Sequence, residues 1–352
     1  MPSLDPDADL HAEPHPSRPT AAQRAWGLER PCLGISLGGA HSTSEVARNR
    51  AWVALAEQRG LHSVWLPEMH FAAGACPAPL LELAGYAAST RRLRFGTTSL
   101  LLPLHPPEQI AAEIAALDQL SRGRLLIGLG RGFNKKMLAA FEVPPAEKRD
   151  RFDAALDRIY SLWAKGNRAN TALATYQKPH PPLAVAAFGP KGLSQAARRG
   201  LPYLASPVET LDQIAENQRR HRTELPDPSP AALSLVMRSV FVSDDLGELA
   251  EVREALSRET TGRRAGMPEM IRKALEAPLD ERVVIGTRSE VTRRLVSDRQ
   301  RLGIDLLIVR PQLAKLDGAM LERSLIRLAE EIWPSVAASA VSDQPLSPAL
   351  PE

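Results

Sequence analysis

Cysteine is scarce in this chain, since only Cys32 and Cys76 occur among its 352 residues. Neither has other cysteines or histidines around it at the spacing of a metal site, and two thiols cannot build a disulfide framework. We therefore expect no bound metal and a reducing compartment, which favours a cytoplasmic protein.

Long apolar runs and basic blocks are also missing. No apolar stretch reaches the roughly 18 residues that span a bilayer, and the first residues lack the basic and apolar regions of a signal peptide. Lysine and arginine, 44 together, nearly balance 41 acidic residues for a net charge of +3, and no basic block is interleaved with aromatic residues. These absences argue against a membrane or a nucleic acid as partner.

The two ends of the chain lack the periodicity of packed structure. Residues 1–30 and 337–352 are rich in proline, alanine and polar residues without a repeating pattern, so we predict a disordered leader and a flexible tail. Hydrophobic residues make up 44% of the chain. This is enough for one large domain over residues 31–336, since barrels of about 250 residues and more fold as a single unit.

Short apolar runs alternate with amphipathic stretches between these ends. Runs that are apolar on both faces and are separated by helices are typical of parallel strands in a buried sheet. The predicted strands are Cys32–Leu37, Ser63–Leu66, Leu93–Leu102, Leu125–Leu129, Leu183–Ala187, Tyr203–Ala205, Leu233–Val242 and Asp305–Val309. The predicted helices are Glu45–Arg59, Pro79–Ser89, Pro106–Leu120, Asp150–Trp163, Lys191–Arg199, one beginning at Glu209, several within 245–280, Ser289–Leu302 and Met320–Trp333.

Eight strand-and-helix units predict an α/β fold, a closed (β/α)8 TIM barrel with an insertion at about 243–282. A doubly wound open sheet is the main rival. Such a sheet usually has fewer strands, and no G-x-G-x-x-G follows the first strand, where a dinucleotide-binding sheet places it. No repeat of 20–50 residues is visible, so a solenoid is not indicated.

The loops that follow the strands carry the candidate site residues, because a barrel's active site forms at the carboxyl ends of its strands. After the second strand come Glu68 and His70, a carboxylate and an imidazole that could position a substrate or move a proton. A structural Glu–His pair in a polar loop is the simpler interpretation of this segment alone. The small residues Thr97, Thr98 and Ser99 of the third strand could mark a bulge or the close approach of a ligand, although a buried strand is the simpler interpretation.

The segments after the fourth and fifth strands suit a phosphate. Arg131, flanked by glycines, offers a forked cation, unless it only caps the barrel rim. Phe188 and Gly189 lead into a helix whose first turn holds Lys191 and Gly192, and helix N-termini bind phosphate through free amides and the helix dipole. A helix that merely starts at a proline would look the same. Together the two segments favour a flat, phosphorylated cofactor.

The motifs resemble those of the luciferase-like flavin monooxygenases. Their order and spacing hold from about residue 33 to residue 335. The matching segments are 56–70 (similar to AE…GF-x-S-x-W-x-x-EHH), 92–107 (the third-strand motif), Ala115–Arg124 (similar to LDQLSxGR), Gly128–Gly132, and 284–291 (similar to GTPEEV).

The resemblance implies a cofactor and a chemistry. Reduced FMN, supplied by a separate flavin reductase, would bind at the carboxyl-terminal rim of the barrel. It would react with O2 to give a flavin hydroperoxide that oxygenates a small organic substrate, while the protein supplies orientation and a dry site. Homodimers are usual in the family, with the early barrel helices at the interface.

The resemblance also assigns positions. It implies a non-proline cis peptide beneath the flavin ring at Thr98–Ser99, Arg131 as a phosphate ligand, and a phosphate loop at 189–194. In that loop the family's acidic and hydroxyl ligands are replaced by Phe188, Gly189 and Gly192, with Lys191 nearby.

One departure from the family narrows the function. The first histidine after the family's glutamate is Met69 here, and methionine cannot exchange a proton, so light-emitting aldehyde chemistry is not expected. The luciferases carry a reactive cysteine at the position that matches Gly130 in this chain. Two alternatives stay open: a deazaflavin-dependent hydride-transfer oxidoreductase, with Arg238 and Arg310 holding the anionic coenzyme tail, and a non-catalytic flavin-binding accessory protein.

Overall fold

A computed structural model of the chain describes residues 19–72, 74–226, 232–262, 269–311, 313 and 316–340. The strands in these ranges are β1 (Cys32–Ser36), β2 (Ser63–Leu66), β3 (Arg94–Leu101), β4 (Leu125–Gly130), β5 (Leu183–Ala186), β6 (Tyr203–Ala205), β7 (Leu235–Val242), β8 (Val283–Gly286) and β9 (Leu306–Val309). The helices are α1 (Ala21–Trp26), α2 (Thr43–Gln58), α3 (Pro79–Ala88), α4 (Pro107–Leu120), α5 (Lys135–Ala140), α6 (Lys148–Ala169), α7 (Pro190–Arg198), α8 (Leu211–Thr223), α9 (Leu246–Gly262), α10 (Glu269–Glu276), α11 (Leu279–Arg282), α12 (Arg288–Leu302), α13 (Gly318–Arg327) and α14 (Trp333–Ala338).

Eight parallel strands close into a barrel. They follow in the order β1 to β7 and then β9, which pairs with both β7 and β1. Leu306 of β9 is the register partner of Leu235 on one side and of Cys32 on the other. The predicted (β/α)8 barrel is therefore confirmed, and each barrel strand lies where an apolar run predicted one.

The short strand β8 was not predicted. It pairs only with the second half of β7, at Ser239 to Val242, outside the barrel. Four apolar residues between two helices carry too little pattern to indicate a strand. The predicted insertion at 243–282 carries α9, α10 and α11, and α11 leads directly into β8.

The strands are buried on both faces, as their unbroken apolar character predicted. The inner face forms one cluster inside the barrel around Trp65, and the outer face packs under the helices. Gly96 makes room for the Trp65 indole, since a Cβ atom at position 96 would lie 2.2 Å from the ring.

The predicted disorder of residues 1–30 is wrong for residues 19–30, while residues 1–18 lie outside the described part of the chain. Thr20 and Gln23 form a capping box that begins α1. The buried Trp26 then stacks on Trp65, with ring centroids 6.4 Å apart and an interplanar angle of 13°. Gln23 Nε2 also donates to Asp305 just before β9, so α1 covers the amino end of the barrel. A six-residue helix that is stabilised by this tertiary contact has no periodic pattern of its own.

The predicted flexible tail, 337–352, begins inside α14. That helix continues to Ala338, and Val336 within it is buried. Residues 341–352 lie outside the described residues.

Candidate active site

The carboxyl ends of β2, β3, β4 and β5 lie side by side, because these strands are consecutive neighbours in the barrel. The loops that carry the predicted site residues therefore meet at one edge. They form two groups: a carboxylate with imidazoles after β2 and β3, and a set of cations after β4 and β5.

The first group is built on Glu68, whose side chain has no exposed surface. Its Oε1 atom accepts hydrogen bonds from His70 Nε2 at 2.8 Å and from His105 Nε2 at 2.9 Å. Its Oε2 atom accepts from the Leu101 backbone N–H at 2.7 Å. A carboxylate that accepts three hydrogen bonds orients its donors, and each imidazole that donates through Nε2 keeps Nδ1 as an acceptor when it is neutral.

His105 was not among the predicted site residues. It lies just after β3, beyond the segment Thr97–Ser99 that the sequence singled out. Nothing in its local pattern places it beside Glu68, since the contact joins residues 37 positions apart.

Glu68 also fixes the end of β3. Its backbone N–H donates to Ser99 O at 3.1 Å, and its carboxylate holds Leu101 N–H, so the loop after β2 bonds β3 on both sides of Leu100. The register of β3 against β4 shifts between Thr98 and Leu100. The Thr98–Ser99 peptide is cis, as the resemblance implied.

Gly130 of β4 accommodates this bulge. A Cβ atom at position 130 would lie 2.0 Å from Ser99 Oγ. A cysteine at this position, as in the luciferases, would clash with Ser99 as it stands here. The glycine therefore follows from the local packing.

The two threonines of β3 differ. Thr97 Oγ1 is buried and donates to Gly128 O at 2.8 Å, so its polar group is satisfied within the barrel. Thr98 Oγ1 is buried without any partner, and the other such atoms among the described residues lie on β7, α8 and α12. Because buried hydroxyls normally find a partner, Thr98 is left with hydrogen-bonding capacity for a ligand.

The second group is built on Arg131, just after β4. Its guanidinium donates to Gln195 Oε1 and to Ala186 O, each at 2.8 Å. It lies against Gly192 of α7, where a Cβ atom would come within 2.7 Å of Nη2. Burial, together with the nearby charge of Arg149, lowers the pKa of Arg131 to about 10, so the group remains cationic at neutral pH.

Two further cations lie beside Arg131. Lys148 Nζ donates to Gly132 O at 3.0 Å, and burial together with Arg131 and Arg149 lowers its pKa. The nearby Asp153 is engaged by Gln195 and Arg199. The sequence did not reveal Lys148 and Arg149, because they stand at the start of α6 within a stretch that matches no motif.

The N-terminus of α7 completes this group. Gly189 precedes the helix without a side-chain cap. The exposed Lys191 belongs to a cleft of about 420 Å³ between α6 and α7. Phe188 is half-buried at the end of the preceding strand region. The cleft is lined by Arg149, Asp150, Asp153, Pro190, Lys191, Ser194, Gln195, Arg198 and Glu224.

Arg238 is not available for a coenzyme tail, which corrects one expectation of the deazaflavin alternative. It lies on the face of β7 that packs under the helices and is 1% exposed. Its guanidinium donates to Glu209 O at 3.0 Å and to Glu281 O at 3.1 Å. Residues of β7 alternate between the barrel interior and the helix layer, and a strand-end position in the sequence does not reveal which side a residue takes.

The described residues contain neither a candidate metal site nor a candidate membrane span. No group of three or more histidine, cysteine, aspartate or glutamate side chains there could hold a metal ion. In the same ranges, no helix combines the length and the apolar character that crossing a membrane requires.

Comparison with known families identifies the family of this chain. The sequence model of the luciferase-like monooxygenases matches residues 32–306. The chain belongs to this family.

The family contains relatives with different coenzymes. Protein y4vJ of Sinorhizobium fredii, which is uncharacterized, is 27% identical over 87% of this chain and 96% of its own length. The oxygenase component of the flavin-dependent trigonelline monooxygenase of Acinetobacter baylyi is 29% identical over 47% of this chain and 50% of its own length. The F420-dependent glucose-6-phosphate dehydrogenase of Kineococcus radiotolerans is 32% identical over 46% of this chain and 52% of its own. The match to each of these two enzymes thus spans about half of that enzyme.

Solved structures show the same fold. Monooxygenase RslO1 from Streptomyces bottropensis has a TM-score of 0.73 and 24% identity, with 86% of this chain and 99% of that chain covered. The oxygenating constituent of 3,6-diketocamphane monooxygenase from Pseudomonas putida, in complex with FMN, has a TM-score of 0.73 and 18% identity, with 89% and 100% covered. The F420-dependent tetrahydromethanopterin reductase of Methanopyrus kandleri has a TM-score of 0.64 and 16% identity, with 87% and 99% covered.

Proposed function

We propose that this protein is a flavin-dependent monooxygenase that uses reduced FMN and O2 to oxygenate a small organic substrate. The observation that carries the proposal is the cationic group at the ends of β4 and β5. There Arg131 is packed on Gly192 beside the uncapped start of α7. This is the position where a luciferase-like barrel of known flavin chemistry would place a phosphate.

The residues present fit FMN. Three half-buried cations, Arg131, Lys148 and Arg149, lie within mutual electrostatic range. Burial and the neighbouring cations lower the pKa of Arg131 and of Lys148, so the charged form of each is disfavoured there. A phosphate dianion would relieve that cost. At β3, the orphaned Thr98 hydroxyl offers a polar partner for the heterocycle, in the segment beside the bulge.

The protein's own residues divide the remaining work. Bound reduced FMN would supply the electrons that allow one atom of O2 to be inserted into a substrate. Glu68 holds the β3 bulge and orients His70 and His105, whose second nitrogens remain free to exchange a proton with a bound substrate. The apolar rings of Phe71 and Phe141 lie beside His70.

We also propose a flavin reductase as transient partner, because one relative is the oxygenase component of a flavin-dependent monooxygenase. A homodimer is proposed through α2 and α3. The exposed Ala54, Gly85 and Ala88 there line a groove of about 600 Å³ that leaves room for close helix packing. Trp52 and Val53 of α2 face the core instead. The two free thiols, Cys32 and Cys76, suit the cytoplasm.

A deazaflavin-dependent hydride transfer is the second candidate. The F420-dependent relative and the basic side of the cleft between α6 and α7, at Arg149, Lys191 and Arg198, support it. The acidic Asp150 and Glu224 in the same cleft weigh against a long anionic tail.

Anaerobic titration of the protein with reduced FMN and with reduced F420 tests the proposal. We expect FMN to bind at tens of micromolar or tighter and F420 to bind more weakly. After air is admitted, a substrate panel should reveal O2 consumption coupled to an oxygenated product. Tight F420 binding without FMN binding would replace the proposal by the second candidate. FMN binding without any product across the panel would favour a non-catalytic flavin-binding protein.

A further inference from the structure

An aromatic cluster lies at the rim between the ends of β2 and β4. The ring centroids of His70 and Phe141 are 4.7 Å apart, those of His70 and Phe71 are 5.8 Å apart, and those of Phe71 and Phe141 are 6.1 Å apart. We refer to these three side chains as the rim cluster. The cluster joins the loop after β2 to the loop after β4, across the end of β3.

Phe71 is the unusual member of the rim cluster. Its side chain is 76% exposed, and its backbone φ of 60° lies in the left-handed region. Bulky residues rarely adopt this conformation, and residues held in it concentrate at ligand-binding sites. An exposed aromatic ring on a left-handed backbone is unfavourable in the free protein, so both features indicate a role in binding.

The other two rings are held in place by neighbouring residues. His70 is held by Glu68. Phe141 ends α5 and packs on a small apolar cluster that includes Met137 and Leu138 of α5 and Leu101 at the end of β3. The rim cluster thus has two rings with fixed positions and one exposed ring beside them.

The chemistry of this surface is apolar and aromatic. Met69 and Phe133, on the same two loops, are 39% and 37% exposed. Glu68, the carboxylate that holds His70, is buried and already accepts three hydrogen bonds.

We propose that the rim cluster binds the organic substrate, and that this substrate is a planar aromatic compound. The inference rests on the proposed function, which it makes more specific. Stacked and edge-to-face ring contacts add roughly 2- to 12-fold in affinity per ring pair beyond the burial of apolar area. A saturated compound of the same carbon skeleton gains the burial alone.

Paired probes test the proposal. 2-Naphthol and its saturated analogue decahydro-2-naphthol share a carbon skeleton and a hydroxyl, and only the former is planar and aromatic. Both are titrated calorimetrically into the protein with and without oxidised FMN. We expect 2-naphthol to bind about 10-fold more tightly, because it can contact more than one ring of the cluster.

Variants locate the binding site. Phe71→Ala should weaken 2-naphthol binding by about 3- to 10-fold, and Phe71→Leu should restore only the part of the affinity that is due to apolar area. The control Leu246→Ala removes an equally exposed apolar side chain from α9 and should leave 2-naphthol binding unchanged. Circular dichroism verifies that each variant is folded.

Equal binding of the two probes, or 2-naphthol binding that is unchanged in Phe71→Ala, would overturn the inference. The FMN titration is read separately. If FMN binds and the aromatic preference is absent, only this inference fails. If FMN does not bind, the proposed function fails, and the titration without FMN still reports whether the rim cluster prefers the aromatic probe.

Discussion

Glu68 carries a buried charge that three donors share, two from imidazoles and one from the backbone of β3. Hydrogen bonds to a charged group contribute more than neutral ones, and a buried donor left without an acceptor costs about 1–3 kcal/mol. Both the stability of the rim and the orientation of His70 and His105 should therefore depend on this one side chain.

The substitution Glu68→Gln tests this dependence. The amide keeps the shape but replaces one acceptor oxygen by a donor, so Leu101 N–H or the two imidazoles lose their acceptor. We expect the free energy of unfolding to fall by about 1–3 kcal/mol and turnover to fall by about 100-fold. Urea denaturation and initial-rate assays measure the two effects.

Glu322→Gln, an exposed carboxylate on α13, is the matched control and should change neither quantity. A Glu68→Gln variant as stable and as active as the original protein would show that the three hydrogen bonds to Glu68 neither stabilise the fold nor support turnover.

The elements differ in how far the sequence reveals them. The eight barrel strands were predictable because apolar runs buried on both faces leave a continuous signal. In contrast, α1 depends on one stacked tryptophan, and β8 depends on its pairing with β7. The candidate site follows the same rule. Glu68 and Arg131 follow strands and were predictable, whereas His105 and Lys148 reach the site through contacts that no local pattern encodes.

Helix α1 should contribute to the stability of the whole barrel. The substitution Trp26→Ala removes a buried indole that stacks on Trp65, and the truncation of a buried aromatic residue costs about 3–5 kcal/mol. Urea denaturation followed by circular dichroism should show a midpoint shift of the corresponding size. Trp26→Phe, which keeps a ring in the same place, should recover part of the loss. If Trp26→Ala unfolds with the original midpoint, α1 is not part of the cooperative unit.

The start of α8 should make stability depend on pH. Burial raises the pKa of Glu209, just before this helix, to about 7, although Tyr203 and Ser206 donate to it. The folded protein then holds a proton that the unfolded chain releases near pH 4.5. The contribution is therefore complete below pH 4.5 and is lost as pH rises through 7, by at most about 1.4 kcal/mol per pH unit.

The variant Glu209→Gln, which mimics the protonated acid, isolates this effect. Unfolding free energies measured at several pH values should show the original protein losing stability relative to the variant between pH 4.5 and 7. The exposed Glu251→Gln on α9 serves as control and should follow the original protein at every pH. Parallel curves for Glu209→Gln and the original protein would mean that Glu209 is ionised in the fold throughout this range.

At the scale of the whole molecule, the barrel brings chemically different loops to one edge. The carboxylate and imidazoles come from the loops after β2 and β3, and the cations come from the loop after β4 and from the start of α6. The rim cluster bridges the two sides. This arrangement would place a cofactor phosphate at one side of the edge and its heterocycle over β3, within reach of a substrate held by the rim cluster.

The comparison of FMN with riboflavin tests the central claim most directly, because the two differ only in the phosphate. Fluorescence titration of the original protein should show FMN binding at least about 100-fold more tightly than riboflavin, a difference of about 2.7 kcal/mol. In Arg131→Met, FMN binding should weaken by about 10- to 100-fold while riboflavin binding is unchanged, since charged hydrogen bonds contribute about 1.5–3 kcal/mol each. Arg323→Met, at an exposed arginine of α13, should leave both affinities unchanged. Equal affinities of the original protein for FMN and riboflavin would contradict a phosphate site at Arg131 and the start of α7.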